Sequence, residues 1–106
     1  MLHFTPLQLT EHLKNSEQKL TLLDVREPWE YEICHINDSI LIPMGQIQNN
    51  LDQLGKDEPI VVICHHGIRS QKVAMFLEHH GFQNVINLTG GVDAWAMDID
   101  LNMAKY

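Results

Sequence analysis

The chain has 106 residues, with seven Lys and Arg against fourteen Asp and Glu, so its formal charge is −7 with neutral histidine. Hydrophobic residues at 44% and charged residues at 20% are globular values that exclude a wholly disordered chain, and the length suits one domain over residues 1–106. The negative balance argues against nucleic acid or an anionic membrane as partner, and two cysteines, Cys34 and Cys64, are too few for a disulfide framework.

The opening residues Met1 to Pro6 lack a basic segment followed by an apolar one. The apolar run Ile60 to Cys64, five residues and exceeded by none, is far short of the ~20 residues of a membrane helix. These features predict a soluble, cytoplasmic protein with reduced cysteines. Thr5-Pro6-Leu7-Gln8 reads as a helix start, with Thr5 as cap, Pro6 in the first turn and Gln8 closing a capping box. An imperfect apolar stripe of Leu7, Leu9, His12 and Leu13 follows, to about Lys14.

Leu20 to Val25 is a strand candidate, apolar on both faces as in a sheet covered on both sides. Glu27-Pro28-Trp29-Glu30-Tyr31 opens a short acidic helix. Ile40 to Ile42 is a strand stopped by Pro43, and Gln46 to Leu54 a helix ending at Gly55. Ile60 to Ile63 reads as the most buried strand. Ser70 to His80 is a helix closed by Gly81, Asn84 to Leu88 a last strand, and Ala94-Trp95-Ala96 lies in a final short helix after Gly90-Gly91. Such alternation predicts an α/β fold with a mainly parallel sheet between helices and a site at the carboxyl ends of the strands.

That edge carries Cys64-His65-His66-Gly67-Ile68-Arg69-Ser70. A loop curling round a cysteine directs backbone N–H groups at the sulfur, and the following helix adds its positive end, a setting that lowers thiol pKa values. Gly67 permits the backbone twist, Arg69 supplies a planar cation beside an incoming anion, and Ser70 is placed to cap the helix. A buried structural cysteine is the competing reading, against which the Gly, Arg and Ser stand together.

This loop, with Leu23 to Tyr31 upstream and Gly81 to Trp95 downstream, resembles a single-domain rhodanese, a sulfurtransferase. The likeness continues through His35-Ile36, Ser39-Ile40 and Ile42-Pro43 and covers about Phe4 to Trp95. It implies a three-layer α/β/α fold with a mainly parallel five-stranded sheet and the active cysteine after the fourth strand. It also implies double displacement without metal or organic cofactor. Cys64 takes the outer sulfur of thiosulfate or another small anionic donor as a persulfide, then passes it to a thiol, a sulfur-carrier protein or cyanide. His65, His66, Gly67, Ile68, Arg69 and Ser70 are then the substrate-binding loop, and Asp24 and Arg26, matching the family's Asp-x-Arg, are supporting residues read as a structural pair.

Two other classes stay open: a Cys-dependent phosphatase on the same fold and a non-catalytic sulfur-carrying or binding module. Phosphatase loops have five residues between Cys and Arg, whereas His65 to Ile68 makes four. Zinc binding by Cys34-His35 with Cys64-His65-His66 is disfavoured, because neither C-x2-C nor H-x3-H spacing occurs. Cys34 stands where the family has Gly and is strained if that position needs a positive φ. Trp29 and Trp95 read as core or rim aromatics. Arg26, Arg69 and Lys72 are expected to border the sulfur, while Glu11, Glu17, Asp52, Asp57, Glu58, Asp98 and Asp100 lie elsewhere in the sequence.

Overall fold

The computed structural model describes residues 1–15 and 19–106, so Glu17 lies outside the described residues. Five strands, β1 (Leu2–Phe4), β2 (Thr21–Asp24), β3 (Ile40–Leu41), β4 (Ile60–Ile63) and β5 (Val85–Leu88), form one parallel sheet in the order β1-β5-β4-β2-β3. The helices are α1 (Pro6–Asn15), α2 (Pro28–Ile33), α3 (Ile68–His79) and α4 (Gly91–Asp98).

The two-residue period of β4 sorts the core into two layers. Ile60 and Val62 pack with Leu23, Val73, Leu77 and Phe82 on the α3 face. Val61 and Ile63 pack with Leu9, Leu22, Ile86, Leu88 and Trp95 on the face of α1 and α4. All four β4 residues are buried, as expected of a strand covered on both sides.

Local signals account for most boundaries. The Thr5 N–H donates to Gln8 Oε1 (2.9 Å) and the Gln8 N–H to Thr5 Oγ1 (3.2 Å), completing the capping box of α1. The Glu27 N–H donates to Glu30 Oε1 (3.0 Å) at the start of α2. Gly81 follows α3 with φ +91°.

One expectation is corrected, one strand was not foreseen, and the condition for strain at Cys34 is not met. Met44–Gln53 is not an α-helix but 3₁₀ turns broken at Asn50 (φ −127°, ψ 19°). β1, unforeseen because two of its three residues are exposed, is an edge strand whose register on β5 runs from Leu2–Ile86 to Phe4–Leu88. Cys34 has an extended backbone (φ −163°) and carries no left-handed strain; the non-glycine residue with positive φ is Asp38 (φ 68°).

Candidate active site

Parallel pairing aligns the strand ends: Asp24 lies opposite Ile63, and Val62 opposite Asn87. Cys64, the first residue beyond β4, is therefore flanked by the ends of β2 and β5, and it is buried. The chain turns through His65, His66 and Gly67 into α3. Gly67, with φ +99°, is the helix N-cap and donates its N–H to Cys64 Sγ at 3.0 Å. A Cβ there would lie 3.1 Å from the Gly90 nitrogen, so glycine answers both the dihedral and the space.

The loop is held from outside by α4. The Cys64 carbonyl accepts from the Val92 N–H (2.9 Å), and the His65 carbonyl accepts from the Asp93 N–H (3.1 Å). Helix N-termini carry N–H groups without partners in their own helix, and here two of them bind the loop. Gly91 makes this approach possible, since a Cβ on it would overlap both carbonyl groups.

Ser70 is not the cap that the sequence suggested. Gly67 holds that position, and Ser70 is fully buried in the first turn of α3 with its hydroxyl turned toward the sheet. Cys64 Sγ donates to Ser70 Oγ (3.3 Å), Ser70 Oγ donates to Asn87 Oδ1 in a short bond, and Asn87 Nδ2 donates to the Gly67 carbonyl (3.4 Å).

Arg69 faces a partner. Its Nη1 and Nη2 donate to Glu30 Oε1 and Oε2 at 2.7 and 2.8 Å. Tyr106 donates its hydroxyl to Glu30 Oε2 (2.6 Å) and accepts from Arg26 Nη1 (2.9 Å). Arg26 and Asp24 are wholly buried and paired at 2.8 Å, and Arg26 also donates to the Cys34 carbonyl (2.6 Å). The Arg69 guanidinium, reinforced by the Tyr106 hydroxyl and opposed by burial, lowers the Glu30 carboxyl to about 2. Burial, with the Glu30 bond, pushes the Tyr106 phenol up to about 12. The Glu30 bond outweighs burial in raising Arg69, whose charge also couples favourably to Cys64. Arg26 is thus committed to Asp24, Cys34 and Tyr106 inside the protein, the structural pair expected of the Asp-x-Arg segment.

The His65 ring is stacked between His66 and Tyr106, at 3.9 Å from each. Burial, then the neighbouring His66, lowers its pKa, so at neutral pH it is an uncharged packing group rather than an anion-attracting cation. His66 is exposed, with Nδ1 3.8 Å from Asp93. Ile68 is 68% exposed, and Trp29, also exposed, meets Tyr106 edge-on. Lys72 lines a groove of about 370 Å³ with Met44, Ile47 and Phe76, on the side of α3 facing the 3₁₀ turns.

Sequence reasoning missed Glu30, Asn87 and Tyr106 as site residues. Glu30 had a local signal, since it closes the α2 capping box three residues after Glu27. Tyr106, 76 and 80 positions from its hydrogen-bond partners, had none.

Known proteins resemble this chain in sequence and fold. The chain is 38% identical over 81 residues to YrkF of Bacillus subtilis, named as a candidate sulfur carrier protein, with 76% of this chain and 44% of that one covered. It is 31% identical over 94 residues to the thiosulfate sulfurtransferase GlpE of Vibrio cholerae, covering 88% and 89%. The crystal structure of a rhodanese-like domain protein from Staphylococcus aureus superimposes with a TM-score of 0.83 at 35% identity, covering 90% and 91%. The chain spans 44% and 26% of the lengths of the first curated relatives it matches. The model of the rhodanese-like domain matches residues 5–98, and with Cys64 lying beyond the fourth of five parallel strands, the chain belongs to the rhodanese-like sulfurtransferase family.

Proposed function

We propose that the protein transfers sulfane sulfur through a persulfide on Cys64. The observation that carries this reading is the Gly67 N–H bond to the sulfur of a buried cysteine at the N-terminal end of α3. A donor N–H and a helix N-terminus favour negative charge, which the thiolate and the persulfide both bear. The names of GlpE and YrkF point to the same chemistry.

In the first step the Cys64 thiolate attacks the outer sulfur of thiosulfate. A sulfur–sulfur bond forms on Sγ, the bond to the sulfonate sulfur breaks, and its electron pair leaves with sulfite. The new persulfide anion inherits the thiolate's charge. In the second step a nucleophile takes the terminal sulfur and regenerates the thiolate: cyanide gives thiocyanate, and a thiol or a sulfur-acceptor protein gives its own persulfide. The loop His65 to Ser70 receives the donor, with the Arg69–Glu30 pair at its edge. A working Cys64 must stay reduced, which suits the cytoplasm.

Mass spectrometry after thiosulfate treatment should show one added sulfur on the Cys64 peptide, and thiosulfate with cyanide should yield thiocyanate. Cys64→Ser should abolish both. Sulfur found on Cys34 alone, or activity persisting in the variant, would overturn the assignment. Hydrolysis of an aryl phosphate lost with Cys64→Ser would favour a phosphatase, and sulfur loading without turnover would favour a carrier module.

A further inference from the structure

The hydrogen bonds beneath Cys64 form a closed ring: Sγ to Ser70, Ser70 to Asn87, Asn87 to the Gly67 carbonyl, and the Gly67 N–H back to Sγ. The direction of each bond follows from chemistry. The Gly67 carbonyl only accepts, so the Asn87 amide must present Nδ2 to it and Oδ1 to Ser70. That oxygen also only accepts, so the single Ser70 proton is committed to it, and Ser70 Oγ is left to accept the thiol proton. Ser70 is fully buried and Asn87 is 4% exposed, so the ring has little access to water.

We propose that Asn87 is a positioning residue that acts on Cys64 by competing for the Ser70 hydroxyl, restraining the bare thiolate and favouring the sulfur-loaded state. The inference rests on the persulfide reading above. When Cys64 loses its proton, Sγ can only accept, and to bond it Ser70 must turn its hydroxyl from Asn87 to the sulfur. A charge-assisted bond is gained, but a buried carbonyl oxygen on Asn87 loses its donor, which opposes the gain. When Sγ bonds to the outer sulfur of the donor, sulfite departs and the charge moves to the terminal sulfur. Sγ then no longer needs the hydroxyl, and Ser70 returns to Asn87. The Ser70 proton never leaves Ser70; it only rotates.

Charged groups around the ring are constant in this comparison. Arg69 of α3 couples to Cys64 and is held by Glu30 of α2. The end of β2 contributes the Asp24–Arg26 pair, whose guanidinium reaches Tyr106, and α4 contributes Asp93 beside His66, which stacks on His65.

The test is iodoacetamide alkylation of the donor-free protein across pH, with Cys64 and Cys34 read separately by peptide mapping. Ser70→Ala removes the thiolate's hydroxyl donor and should slow Cys64 alkylation below the plateau about tenfold, while Asn87→Leu releases the hydroxyl and should speed it about fivefold. The double variant should match Ser70→Ala, because the Asn87 effect on the sulfur runs through the Ser70 hydroxyl, and its long 3.4 Å bond to the Gly67 carbonyl is the same in both charge states. Asn87→Val serves as the second apolar replacement should the leucine not fold. Asn87→Leu should also shift the thiosulfate–sulfite equilibrium on the protein toward empty thiolate by the same factor. Single variants moving in the same direction, or an Asn87 effect that persists beside Ser70→Ala, would overturn the proposal. The opposite-signed alkylation effects without any sulfur loading would leave the ring standing and reject the persulfide reading instead.

Discussion

Glu30 shows how one side chain serves several ends. It closes the α2 capping box, receives both arms of Arg69 and accepts the Tyr106 hydroxyl. Its carboxyl is depressed from 4.5 to about 2, chiefly by Arg69, so the folded state holds the ionised form. The associated stability is complete above about pH 4.5 and is lost as pH falls toward 2. Glu30→Gln should cost about 1–3 kcal/mol at pH 7, a range kept modest because Arg69 is partly exposed. In parallel urea melts the gap between wild type and variant should narrow across that acid window. A constant gap would mean that the ionised carboxylate is not what stabilises the fold. Arg69, Gly67 and Cys64 were readable as a group because they lie within one loop. Glu30 and Arg69 are 39 positions apart, and no local pattern announces their pairing.

Elements around the site cooperate through backbone. β4 delivers Cys64 to the carboxyl edge, Gly67 starts α3 beside the sulfur, and the first turn of α4 binds the loop carbonyls. Gly91→Ala should force α4 from the loop, since its Cβ would meet the Cys64 and His65 carbonyls at φ +58°. The expected cost is about 2–4 kcal/mol in stability, with thiocyanate formation reduced more than about tenfold even where the variant remains folded. Unchanged activity would show that α4 does not set the loop's shape. The Gly90-Gly91 pair was visible in the sequence as part of a family motif, whereas its reason, the passage of loop carbonyls over Gly91, required coordinates. The 3₁₀ turns at Met44–Gln53 went the other way: reading Gln46 to Leu54 as a helix ending at Gly55 did not reveal the break at Asn50.

Across the whole molecule, Tyr106 ties the chain's last described residue to its first half. Its hydroxyl joins Arg26 and Glu30, and its ring stacks on His65 and meets Trp29 edge-on. Tyr106→Phe keeps the rings in contact but leaves Arg26 and Glu30 each short of a partner, so the midpoint in urea should fall by the equivalent of ~1–2 kcal/mol. A stability loss below about 0.3 kcal/mol would show that the hydroxyl does not hold these segments together. The negative charge of the chain also takes a different meaning in space. Two of its seven Lys and Arg residues, Arg26 and Arg69, are bound to carboxylates, so neither guanidinium stands at the loop without a partner.

Strand and helix alternation, the buried β4 run and the Cys64 loop were legible from residue order, because hydrophobic periodicity, capping residues and glycine act over a few neighbours. The Asp24–Arg26 pair was legible too, but the partners of Arg69 and Ser70 and the Tyr106 contact of Arg26 were not, because each is set by segments that meet only after the sheet has assembled. Asn87 is the clearest case: within β5 it reads as one polar residue in an apolar run, and parallel register with Val62 places it beneath Cys64 and Ser70. Burial there removes water as an alternative partner, so the direction of every hydrogen bond in the ring matters to the sulfur.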